Sequence, residues 1–153
     1  MHDDLLSQFA ATLRDRWLKD LITEELTALR QLDLPMIQML AMMPQEKATA
    51  WLSEREAEWL TAIAEGRGLE WEVQRLQRWE QDDIPGIPKG ALHPADVPLF
   101  HAAQRAALQR FVGRFSRDPK VKVELLAAIE GHFQPYFAAA LRTYQRMVVQ
   151  RAG

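Results

Sequence analysis

Leu125-Leu126-Ala127-Ala128-Ile129-Glu130-Gly131-His132-Phe133-Gln134-Pro135-Tyr136-Phe137-Ala138-Ala139-Ala140-Leu141-Arg142-Thr143-Tyr144 is the stretch whose reading decides the fold. Leu125, Leu126, Ile129, Phe133, Phe137, Leu141, Tyr144 and then Val148 recur mostly at three- or four-residue steps, which puts them on one side of a helix. Asp118-Pro119 starts that helix, because proline suits a first helical turn. Pro135 clashes with the carbonyl of Gly131, and the missing side chain of Gly131 eases the distortion. The expectation is one long helix over 119–150, kinked at Pro135, and not two helices.

Working back towards the amino terminus, the segment from Val97 to Phe115 repeats the pattern with Phe100, Ala103, Ala107, Phe111 and Phe115. Gln81 to Ala95 holds Pro85, Gly86, Pro88, Gly90 and Pro94, which deny it regular helix and make it the longest loop. Before it, Leu69, Val73, Leu76 and Trp79 predict a helix over 69–80. Trp51, Leu52, Trp59, Leu60 and Ile63 predict another, ending at Gly66-Arg67-Gly68. Ser53 to Glu56 has capping-box spacing, which allows a break at Ser53. At the start, Leu6, Phe9, Leu13, Trp17, Leu21, Leu26 and Leu29 predict one long first helix up to Asp33, where Pro35 disfavours helical geometry at Leu34. Met36 to Met43 reads as a second helix, apolar nearly all round, deep in the fold and able to line an adaptable pocket. No stretch alternates apolar and polar residues for long enough to make a sheet. The fold class expected is an all-α multi-helix bundle with long first and last helices, as one domain over residues 1–153.

Composition narrows the function classes. With 153 residues, 48% apolar and 26% charged, the chain has the balance of an ordinary globular protein. The net charge of -2 leaves no basic excess for a phosphate backbone, so nucleic acid is a poor partner. There is no cysteine, which removes disulfides, thiolate catalysis and cysteine-ligated zinc together. Asp3 and Asp4 stand where a signal peptide carries positive charge, and no apolar run has the roughly 18 residues of a membrane span. The expected location is the cytoplasm.

No catalytic constellation is visible. Ser7, Ser53 and Ser116 lie near helix ends or on polar faces, without a histidine base at a useful spacing. Glu24-Glu25, Glu54/Glu56/Glu58 and Asp82-Asp83 fit solvated faces or loop. No glutamate precedes a histidine by three residues, as a di-iron bundle needs, and no phosphate loop or calcium loop occurs. Of the histidines, His93 precedes the helix starting near Val97, while His101 and His132 lie on the two longest carboxy-terminal helices. A zinc site built on His101 and His132 lacks clear further ligands. The five tryptophans and six methionines have helical spacing and read as core.

The block Ile129-Glu130-Gly131-His132-Phe133-Gln134-Pro135-Tyr136, closed by Tyr144, resembles the final helix of the amino-terminal domains of RsbR proteins. Leu5-Leu6 to Trp17-Leu18 is similar to that family's first helix, and Val97-Pro98-Leu99 through Phe111 to its penultimate one. The resemblance covers about half the chain in three collinear blocks. It implies a globin-like sensory fold, usually without haem, that dimerises and signals through its last helix to an output domain. In stressosome relatives that output is a STAS domain that helps hold a kinase switch protein. Related globin-coupled sensors place a haem-ligating histidine just before the penultimate helix, and His93 falls within about a residue of that place.

The function expected is therefore a dimeric regulatory domain without enzymatic activity, signalling through its carboxy-terminal helix to a STAS- or kinase-type partner. Pro135, Tyr144, Met147 and Val148 are its candidate interface and signalling residues. No cofactor is expected in this reading. The alternatives are a haem-binding gas sensor using His93 and a helical adaptor that binds a partner protein.

Overall fold

A computed structural model describes residues 2–33 and 42–152, with the side chains of 5–33 and 42–152. Among these residues there are six helices and no strand. They are α1 (His2–Arg16), α2 (Leu18–Gln31), α3 (Gln45–Ala64), α4 (Gly68–Glu80), α5 (Asp96–Phe115) and α6 (Pro119–Ala152). One buried cluster takes apolar residues from all six, from Phe9 and Leu13 in α1 to Ile129 and Phe133 in α6. The all-α bundle read from the periodicity is the fold observed. The Met36–Met43 segment lies almost wholly outside the described residues. Of its last two members, Met42 is exposed and Met43 packs against the core from a half-buried position.

The first helix differs from expectation. It is divided at Trp17, whose backbone leaves helical geometry at φ -125° and ψ 16°. The hydrogen-bond ladder is interrupted there, with Trp17 N–H donating to Leu13 C=O at the end of α1 and Leu21 N–H to Trp17 C=O at the start of α2. No proline or glycine marks this break. Its cause is tertiary: α1 packs on α3 and α6 while α2 turns to α5 and α3, and the Trp17 ring stacks on Phe111 of α5 at 6.2 Å. α3, in contrast, runs straight through Ser53.

α6 runs unbroken through Pro135 for 34 residues, about 50 Å at the usual helical rise. Asp118 caps it, accepting from Lys120 N–H at 3.0 Å. Its buried positions include Ile129, Phe133, Tyr136, Ala140, Thr143 and Met147, a four-three alternation that keeps one seam against the neighbouring helices. α5 and α4 are the helices that cover this seam most extensively, with α1 beside them.

α4 is rotated from the face its apolar residues suggest. Leu69 and Val73 are exposed, and the buried side is Gly68, Glu72, Leu76 and Trp79. Gly68 makes the approach possible: a Cβ there would lie 2.9 Å from His132 Cε1 and 3.0 Å from Ile63 Cγ1. The 81–95 loop has no helix, as expected, and folds back so that Ile87 and Leu92 join the core. Gly86 sits at φ 88°, and a Cβ there would lie 2.7 Å from the Trp51 ring. A side chain at that position would be both conformationally strained and in collision.

Candidate functional site

Each inner helix brings a polar residue into the register of its apolar face. Glu25 lies between Leu21 and Leu29 on α2, and Glu56 between Leu52 and Leu60 on α3. Glu72 lies between Gly68 and Leu76 on α4, and His101 and Gln104 between Val97 and Leu108 on α5. All five are buried. Helix packing thus gathers three carboxyl groups, an imidazole and an amide in the middle of the bundle, where an unpaired charge is costly. Glu25 and Glu56, expected on solvated faces, are instead interior groups, because the apolar faces they interrupt are the ones that pack.

Arg75 of α4 organises this cluster. Its Nη2 lies 2.8 Å from Glu72 Oε2 and 2.8 Å from Gln104 Oε1, and against the hydroxyl oxygen of Tyr136 on α6. Gln104 in turn donates from Nε2 to Glu56 Oε1 at 2.8 Å. The amide therefore connects the guanidinium to the second carboxylate, with both its ends used. The guanidinium carbon lies 5.0 Å from the Trp71 ring centre, 5.5 Å from Phe100, 5.7 Å from Tyr136 and 6.0 Å from Trp59. Those distances put the cation within reach of four ring faces at once.

The electrostatics follow from burial. Loss of water pushes the Glu25 carboxyl well up, and the neighbouring Glu56 charge adds to the shift. Two adjacent carboxyls cannot both ionise cheaply, so Glu25 is held in its protonated form. Burial also raises Glu56, against the opposing effects of the Glu25 proton, Arg75 and Gln104. Glu72 is pushed up to about 8 by burial in spite of Arg75. Burial holds His101 well below the usual imidazole range and His132 down at about 4, with Arg75 opposing their protonation further. Both imidazoles are therefore neutral at pH 7. They flank the same tyrosine: His101 lies 4.2 Å from the Tyr136 ring centre and His132 6.1 Å. Neither ring nitrogen of His101 has a hydrogen-bond partner among the described residues.

Arg75 also faces outwards. It forms part of the lining of a pocket of about 90 Å³ between α3, α4 and the 81–95 loop. Trp51, Trp71, Trp79 and Phe100 supply aromatic walls, Ile84 and Pro85 close the loop side, and Arg55, Arg78, Glu58 and Gln74 stand around it. The Trp51 wall is fixed: its Nε1 donates to Pro85 C=O at 2.7 Å, Arg55 Nη2 donates to the same oxygen at 2.6 Å, and Arg55 lies 4.9 Å from the Trp51 ring centre. Among the described residues no three His, Asp or Glu side chains are placed to hold a metal ion. The positive charge near the buried carboxyls is the guanidinium of Arg75.

The residues singled out from sequence do not gather here. His93 is exposed at the start of α5, where its Nδ1 accepts from Ala95 N–H at 3.0 Å and its own N–H donates to Asp96 Oδ2 at 2.8 Å. Its observed part is that of a turn and cap residue, and it does not line the Trp51 pocket. Pro135 and Val148 are exposed on α6, and Tyr144 is half-buried. Met147 requires correction as an interface candidate, since it is 1% exposed and belongs to the core seam of α6. The exposed large hydrophobic residues of α6 are Val123, Leu126, Phe137, Leu141, Val148 and Val149. No described helix is long and apolar enough to cross a membrane.

Comparison of the chain with family models, with curated proteins and with solved structures finds no match.

Proposed function

We propose that this chain is a cytoplasmic signal-sensing regulatory domain of the RsbR-like type, acting as a dimer and without enzymatic activity of its own. Its signal enters at the Trp51 pocket and leaves through α6 to an output domain or partner protein. The observation that supports this best is the position of Arg75, a single side chain that lines the pocket and also touches Tyr136 on the last helix. A change of charge or contact on the pocket side alters the partners available to Glu72, Gln104 and Tyr136 together. Buried ionic groups of this kind have discrete arrangements, not a continuum, which is what a two-state device requires. The exposed stripe of Phe137, Leu141 and Val148 gives α6 an apolar face for a second copy or an output partner.

Replacing Trp71 by alanine tests the route without touching α6. Trp71 packs on the pocket side of Arg75 at 5.0 Å, so its loss frees the guanidinium to move. Amide hydrogen exchange in α6 around Phe133–Ala140 is expected to speed up along with that in α4. Exchange that rises in α4 alone would contradict the proposed route.

A further inference from the structure

The Trp51 pocket has the make-up of a site for one particular kind of molecule. Three arginines stand around it against one acidic residue, Glu58. Neither Arg55 nor Arg78 is in an ion pair among the described residues. Arg75 at the inner end has a buried Nε without a hydrogen-bond partner among the described residues. A cation would be repelled from such a mouth, whereas an anion would relieve the repulsion between its arginines. The walls are aromatic and offer a strongly hydrated inorganic anion nothing in return for its water. A flat apolar body with one charged end suits both halves of the lining.

Geometry narrows the choice further. Guanidinium groups present parallel N–H bonds in a plane, which matches a carboxylate. An enclosed apolar cavity of about 150 Å³ takes benzene, so a pocket of about 90 Å³ with an open side takes one ring and leaves an edge in solvent. It is far too small for a haem. The Trp51 wall is already held by Pro85 and by the bare backbone of Gly86, so binding does not have to order it.

We propose that this pocket binds a single-ring aromatic monocarboxylate, with the ring among Trp51, Trp71 and Trp79 and the carboxylate on arginines 55, 75 and 78. The site stands on this lining, and only its regulatory meaning rests on the sensing function proposed above. The test is titration of the full chain with sodium benzoate, followed by tryptophan fluorescence, with benzamide as the uncharged molecule of the same shape. Benzoate should give a saturable change, and benzamide should bind roughly tenfold more weakly. Arg78→Ala removes an exposed side chain and should weaken benzoate about fivefold, a loss of order 1 kcal/mol by the same conversion, while leaving the melting temperature of the free protein unchanged. The absence of saturation with benzoate, equal affinity for benzamide, or unchanged benzoate affinity in both Arg78→Ala and Arg55→Ala would each overturn the site. Hydrogen exchange on the benzoate-saturated chain separates the two proposals. Altered protection in α6 supports sensing as well as binding, whereas binding with α6 unchanged keeps the site and removes its regulatory role.

Discussion

At about pH 9, where Glu72 with its pKa of about 8 is ionised, Arg75→Met is expected to destabilise the protein by about 3–5 kcal/mol, the usual cost of breaking a buried ion pair from one side. The guanidinium is the ionic partner of Glu72, at 2.8 Å, and the hydrogen-bond partner of Gln104, which in turn holds Glu56. Methionine fills much of the space and leaves the carboxyls without their cation. Against a total stability typically of about 5–15 kcal/mol, this is a large fraction, and it should be evident as a lower midpoint in urea denaturation. The triple variant Arg75→Met, Glu56→Gln, Glu72→Gln should recover much of the loss, because it removes the uncompensated charges along with their partner. If the single variant melts like the wild type, the guanidinium is not the centre of the cluster.

Stability should fall between pH 6.5 and pH 8, and Glu72→Gln should flatten that fall. The folded chain holds the Glu72 proton up to about pH 8, whereas an ordinary glutamate loses it near 4.5. The contribution of Glu72 is therefore complete below pH 4.5 and disappears as pH rises through 8. Glu25 and Glu56, also raised, act in the same direction. His132 acts oppositely. Its folded value is about 4 against an ordinary 6.5, so its contribution is complete above pH 6.5 and is lost as pH falls towards 4; His101 has the same sign. The two effects oppose each other between pH 4.5 and 6.5, and above 6.5 only the carboxyls remain. The expected loss is on the order of a few kcal/mol, measured as chemical denaturation at fixed pH values. A rise in stability across pH 6.5–8 would contradict the assignment.

The helices were legible because their apolar residues recur with helical period, and the 34-residue last helix was legible even across Pro135. The polar centre was less so. Glu25, Glu56 and Glu72 each interrupt an apolar stripe in register, which is the only local sign that they are buried. Glu72 has Arg75 three residues on along α4, but burying Glu56 depends on Gln104 of α5 and, through it, on Arg75, which no spacing matches to it. Glu72 was further masked by Leu69 and Val73, apolar neighbours that lie outside while it lies inside. The division at Trp17 left no breaker in the sequence, because its cause is contact with Phe111, more than ninety positions away. Met147 and Val148 show the limit from the other side. Two adjacent apolar residues look equally available, and only the four-three seam of α6 assigns one to the core and the other to the surface.

The Trp51 pocket was invisible for a similar reason. Its walls come from α3, α4, α5 and the 81–95 loop, and its three arginines are separated in sequence among glutamates. The proline- and glycine-rich loop was recognised as irregular, but not that Gly86 and Pro85 hold Trp51 in place.

Transmission from the pocket to the last helix requires that Arg75 join α4 energetically to Tyr136 of α6. A double-mutant cycle with Arg75→Met and Tyr136→Phe, measured by urea denaturation at pH 6, addresses this directly. Residues that share a buried polar contact show coupling of about 0.5–3 kcal/mol, and a value of at least about 1 kcal/mol is expected here. Additivity within about 0.3 kcal/mol, the behaviour of independent sites, would mean that the pocket and the last helix are not connected through this pair.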